Sequence, residues 1–253
     1  MIQNMDKTDK FSTTSNISES KSRYPKIVGI ILLGVLLLGV STIILNEKLP
    51  VICPLTQDLI NNDLSKRNYA GCSIVFATID RVNLAETNLS NANLTGTYIV
   101  SSDLRNVDLS YSILNGVTIT NSFLGDVNMT KAVLAGAHLG GVTLTNSEAR
   151  EGDLRGIDLT GGDLSYTNFS GADMRGVDLR GVDLRGANLT ASNLSNTNLA
   201  GSNISGGRML NSNLNNADLR DVNFSGANLF DANLNNADLT GAILYCLNNK
   251  ICE

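Results

Sequence analysis

The chain has 253 residues, a formal net charge of −5, no Trp, one His, three Pro and four Cys. An excess of Leu, Asn, Gly and Ser points to a repeated module. The charge is unevenly placed: residues 1–26 carry five Lys/Arg against three Asp/Glu, and residues 62–253 carry thirteen against nineteen, so a basic tail precedes an acidic body that suits no nucleic-acid partner.

Residues 1–26, rich in Ser, Thr, Asn and Lys, have too few large apolar side chains to bury a core and predict a disordered cytoplasmic tail. Residues 27–45 form an uncharged run of Ile, Leu, Val, Gly, Ser and Thr that, at about 1.5 Å per residue, is long enough as a helix to cross a hydrocarbon core. The run exceeds a signal peptide's apolar core, and Asn46–Pro50 offers no small-x-small cleavage site, so the expectation is one uncleaved transmembrane helix. Lys10, Lys21, Arg23 and Lys26 precede it and only Lys48 closely follows. By the positive-inside rule this predicts a single-pass membrane protein with its N-terminus cytoplasmic and its body in the periplasm, thylakoid lumen or extracellular space. Residues 46–58 read as a linker and N-terminal cap.

From Leu59 to Leu244 a large apolar residue recurs every five positions without a phase shift, twenty-six of thirty-eight being Leu and only Ala149 being small. Two residues before each, from Cys72 to Ala242, stands a small residue, Ile157 being the largest. The position between the two is usually Asn or Asp, and the position two after the large residue is often Gly or Asn, types that tolerate positive φ. A step of five fits neither the 3.6-residue helix nor the two-residue strand, so the backbone must turn at every pentad. The absence of Pro after Pro54 agrees with a stacked β-coil in which each amide has work to do.

Runs such as ADMRGVDLRGVDLRGANLTASNLSNTNLAGSNISG and ADLRDVNFSGANLFDANLNNADLTGA resemble the pentapeptide-repeat proteins, whose motif is A(D/N)LXX. The resemblance covers residues 59–245. It implies an all-β solenoid, a right-handed quadrilateral β-helix of about nine coils at about 4.8 Å each, with the large and small residues inward. Stability then accrues along the rod, about 1.5–3 kcal/mol for each buried Leu, with a local void expected at Ala149. It also implies a bacterial source, cyanobacteria being rich in such proteins.

On such a rod two cysteines lie at each end, Cys53 and Cys72 at one and Cys246 and Cys252 at the other, within the linker and the 246–253 C-terminal cap. Four cysteines allow three pairings, but the ends are too far apart to be bridged, which leaves Cys53–Cys72 with Cys246–Cys252 as end staples. The alternative is that Cys72 is simply one more small inward residue.

No Walker loop, zinc-ligand spacing or nucleophile elbow is present. His138 occupies an outward Asn/Asp position, and Asp153, Asp158, Asp163, Asp173, Asp178 and Asp183 sit at the repeat's own polar position, so their spacing reports the repeat. No enzyme activity, cofactor, metal or small-molecule substrate is expected.

A partner surface is the sharper expectation. Between Asp153 and Asp238 the polar position is Asn or Asp in seventeen of eighteen pentads, but between Tyr98 and Glu148 in only three of eleven. Tyr98, Ile113, Phe123 and Val133 replace it there and predict an apolar contact band. Beside it runs a charged belt containing Asp153, Arg155, Asp173, Arg175, Arg180 and Arg185. The reading is a monomeric, membrane-anchored interaction module that binds an unknown protein or membrane complex. The alternative within the family is a DNA mimic that inhibits gyrase and confers quinolone resistance. A mimic of about 45 Å needs on the order of 25 negative charges, whereas residues 62–253 net −6.

Overall fold

The computed structural model describes Cys53 and residues 58–252. Its strands are short: β1 (Leu59–Ile60), β2 (Thr78–Asp80), β3 (Tyr98–Val100) and β4 (Thr118–Thr120). They stack in the order β1-β2-β3-β4, all parallel and offset by twenty residues, so that Leu59, Ile79, Ile99 and Ile119 are in register. Past β4 the line continues as single bridges from Thr118 to His138 to Asp158. Three further bridge lines, beginning at Asp63, Asn68 and Ser73, keep the same twenty-residue step. One coil is therefore four pentads, and each line marks one side of a four-sided solenoid, named below by its first residue.

The hydrogen bonds of one pentad explain the repeat. The amide of Leu84 donates to the Asp103 carbonyl (2.7 Å), that of Glu86 to Arg105 (2.9 Å) and that of Asn88 back to Arg67 (2.9 Å), all in neighbouring coils. The Thr87 amide closes the turn on the Leu84 carbonyl at 3.0 Å. The fifth, Ala85, donates to the side-chain oxygen of Asn83 at 3.1 Å. With all five amides engaged, a proline at any position would remove a bond. The turn residue two after each large apolar one has φ near +60°, whether it is Gly186, Asn216 or an aromatic such as Tyr166.

Inward columns of Leu, Ile, Met and Phe, with the small residues between them, form one continuous core along the rod. Some buried hydroxyls bond to the preceding coil, as where Thr87 Oγ1 donates to the Leu64 carbonyl at 3.2 Å, and others to the carbonyl three residues back, as Ser192 to Leu189 at 2.7 Å. Ala149 is buried, and the register places it in one column between Met129 and Phe169. In the last coil Leu234, Leu239 and Leu244 are only partly buried, because no further coil stacks upon them. The chain leaves the repeat there: Leu247 pairs with Asn228, nineteen residues back, and ends in a 3-10 turn, Lys250–Cys252.

The single-pass membrane expectation is corrected. No helix among the described residues is long and apolar enough to cross a membrane. A backbone that turns at every fifth residue leaves room for none, and its one helical element is the three-residue turn at Lys250–Cys252. The expected tail (1–26), the expected transmembrane helix (27–45) and most of the expected linker (46–58) lie outside the described residues. The membrane as partner and the non-cytoplasmic placement of the repeat are withdrawn with the helix.

Candidate functional site

The outward Asn/Asp position captures a backbone amide. Its side-chain oxygen accepts the N–H two residues on, from Asn68 to Ala70 (3.0 Å), through Asn193 to Ser195 (3.2 Å), to Asp238 and Thr240 (3.0 Å). This Asx geometry holds each turn and satisfies the one amide that no neighbouring coil reaches. Where the residue is of another type the bond is missing. The amides of Asn115, Gly125, Ala135, Gly140 and Thr145 donate to no other group among the described residues, because Ile113, Phe123, Val133, His138 and Thr143 stand two positions before them. The degenerate band is thus a stretch of surface with both apolar side chains and unspent backbone donors.

The structure divides the four residues expected in that band. Ile113 and Val133 are bridged to each other on the Ser73 side, where Ile113 is exposed and Val133 half-buried. Tyr98 lies on the Thr78 side and Phe123 on the Asp63 side. These two, 46% and 65% exposed, stand on adjoining sides and wall a groove of about 700 Å³ with Thr120, Asn121, Gly140 and Thr143. The Arg105 guanidinium stands 6.0 Å from the centre of the Phe123 ring. Arg105, Thr120, Asn121, Gly140 and Thr143 were absent from the expected site. The twenty-residue coil, once known, supplies the signal that finds them, since it places residues 98 and 123 one coil and one side apart.

The charged belt forms as pairs within single pentads. On the Ser73 side Arg155 donates to Asp153 through Nε and a terminal nitrogen, both at 2.7 Å, and Arg175 to Asp173 at 2.8 and 2.6 Å. Arg180 pairs with Asp178 and Arg185 with Asp183 at 2.6 Å, so one coil wears such a pair on three successive sides. Arg155 also reaches Asp173 of the next coil at 3.9 Å. These hydrogen bonds hold the four carboxyls below their ordinary pKa and raise the arginines. Each guanidinium is neutralised by its own neighbour, so the belt offers a partner little net charge.

At the ends, Cys53 is joined to Cys72 with Cα atoms 5.2 Å apart, and Cys246 to Cys252 at 5.0 Å. The second link ties the terminal turn back against the last coil. His138 is exposed and stands in its bridge line between Thr118 and Asp158.

Twenty residues per coil, four parallel bridge lines and chemistry confined to the outer sides define the class as a β-solenoid scaffold. A sequence profile described as Pentapeptide repeats matches in eight copies, over residues 72–110, 112–148, 153–190, 192–229 and 208–245. The chain belongs to the pentapeptide-repeat family. No curated protein sequence matches it. Among solved structures it is similar to HetL, a pentapeptide-repeat protein involved in heterocyst differentiation regulation from the cyanobacterium Nostoc sp. strain PCC 7120, at 25% identity over 77% of this chain and 91% of that one, with a TM-score of 0.48. It is similar to AT2G44920, from the Arabidopsis thaliana thylakoid lumen, at 30% identity over 47% and 68% of the two chains, TM-score 0.22. QnrB1, a plasmid-mediated fluoroquinolone resistance protein, matches at 15% identity over 72% and 92%, TM-score 0.32.

Proposed function

We propose that this protein is a non-enzymatic interaction module, a repeat body over residues 59–245 of about nine coils with a cap at 246–253, that binds a protein partner through the Ile113–Val133 strip. The observation that carries the reading is local. Two apolar side chains stack on one side where polar residues are the rule, and the amides of Asn115 and Ala135 beside them have no acceptor among the described residues. A partner surface that covers the apolar pair and offers two carbonyl or carboxylate oxygens would satisfy both features at once. The two cysteine pairs act as end staples in this reading. Substituting both strip residues by Asn, and asking whether a copurified protein is lost, is the test.

The DNA-mimic alternative is weaker. Six of the body's aspartates, Asp103, Asp153, Asp173, Asp178, Asp183 and Asp218, each hold an arginine two residues on, which cancels the field a DNA mimic must project.

A further inference from the structure

We propose that the groove between Tyr98 and Phe123 is a binding site for a neutral oligosaccharide. Two exposed aromatic rings wall it, from different sides of the solenoid. Between them the side chains of Thr120, Asn121 and Thr143 form no hydrogen bond to any other group among the described residues, and neither does the amide of Gly140. Next to Gly140 stands Gly141, which has nothing within 4 Å of where a Cβ would be, whereas Gly140 has the Asp158 carboxylate and the Thr160 hydroxyl beside it, at 3.5 and 3.6 Å from such a position. A groove of about 700 Å³ with apolar walls and a few unspent polar groups has the composition of a ligand site.

The chemistry selects the ligand. No Asp, Glu, Lys, Arg or His lines the groove, and the charges beside it are already engaged, Arg105 by Asp103 and Asp158 by the amide and hydroxyl of Thr160, so a charged ligand would shed hydration with little to replace it. A pyranose presents a C–H face and a rim of hydroxyls. The face suits the exposed ring of Phe123 or Tyr98, and the rim suits hydroxyls, a carboxamide and an amide N–H that serve as donors and acceptors. Phe123 is steadied for this by Arg105, itself fixed to Asp103 at 2.9 Å through Nε, so its charge does not reach the groove unpaired. A peptide adding as a strand has no edge to use here, because the flanking bridges Thr118–His138 and Phe123–Thr143 are already made. The site shares no residue with the Ile113–Val133 strip, and the two readings can fail separately.

The test is calorimetric titration of the full chain with cellotetraose, chitotetraose, maltotetraose and xylotetraose. Saturable binding to at least one is expected, weakened roughly tenfold or more in Phe123→Ala and in Tyr98→Ala and unchanged in Ile113→Asn. Asn121→Gly, which keeps the left-handed backbone (φ 51°) while removing the carboxamide, should weaken binding without altering the circular dichroism spectrum. Binding of none of the four sugars, equal binding by the Phe123 and Tyr98 variants, or tighter binding of a sulfated than of a neutral tetrasaccharide would overturn the proposal.

Discussion

The ring of Tyr166 lies across Gly186, twenty residues on, so closely that a Cβ on that glycine would stand 2.7 Å from two ring carbons. Phe76 covers Gly96 in the same way, at 2.5 Å. At these two corners a large turn residue of one coil is matched to a glycine at the same turn of the next.

This pairing makes Gly186→Ala costlier than the same change elsewhere. Gly181, with φ 63° and nothing within 4 Å, measures the backbone strain alone. We expect about 1 kcal/mol for Gly181→Ala and a larger loss for Gly186→Ala, the excess vanishing when Tyr166→Ala is added. Urea unfolding of the three variants and the double variant is the check. Equal losses at the two glycines would remove the steric argument.

The Asx bond predicts a gain as well as a loss. Asn193→Ala strips the acceptor from the Ser195 amide and should cost about 0.5–1.5 kcal/mol, whereas Val133→Asn supplies one to the Ala135 amide and should stabilise the fold by a similar or smaller amount. Thermal denaturation decides. A less stable Val133→Asn protein would mean that the apolar stack contributes more than the missing bond.

Acid should loosen the belt. Hydrogen bonds from Arg155, Arg175, Arg180, Arg185 and Arg220 hold Asp153, Asp173, Asp178, Asp183 and Asp218 below the ordinary value of 3.8. A carboxylate depressed in the folded state stabilises it fully above its unfolded pKa and loses that contribution as pH falls through the folded one. Stability is therefore expected to be flat from neutral pH to about 4 in respect of these groups, and to decline below. The pairs lie at the surface and are screened by solvent, so each contributes little. Urea midpoints against pH, for wild type and a fourfold Arg→Gln variant of residues 155, 175, 180 and 185, test this. An unchanged acid limb in the variant would assign the decline to other groups.

The end staples predict a local effect. Intact mass without reductant should show two disulfides, four hydrogen atoms lighter than the reduced chain. In Cys246→Ser/Cys252→Ser, amide exchange should accelerate around Leu229, whose N–H donates to the Leu247 carbonyl at 3.0 Å, and not at Leu104 or Leu154. Four free thiols in the oxidised preparation would end the account of the ends.

Much of this fold is legible because a single period controls it. Leu84, Leu104 and Leu124 announce an inward column, and the family resemblance turns the period of five into coils of twenty. Asn83 and its equivalents also read as outward and polar, but their task does not, since it is a bond to the backbone two residues on and leaves no trace in hydrophobic spacing. The residues of the expected band fall at two places on the solenoid. Ile113 and Val133 are twenty apart and share a side, whereas Tyr98 and Phe123 are twenty-five apart and line one groove around a corner. Arg155 and Arg175 read as a belt of charge, yet each folds onto its own aspartate, an outcome fixed by side-chain reach.

Crosslinking of the tagged full-length protein in its native cells, followed by mass spectrometry, addresses the proposed role most directly when wild type is compared with Ile113→Asn/Val133→Asn. The account predicts that one protein crosslinked to the wild type disappears from the variant, while Phe230→Asn, an exposed apolar residue elsewhere on the solenoid, leaves it in place. An identical set of crosslinked proteins from wild type and the double variant would contradict it, and the Ile113–Val133 strip would then have no part in recognition.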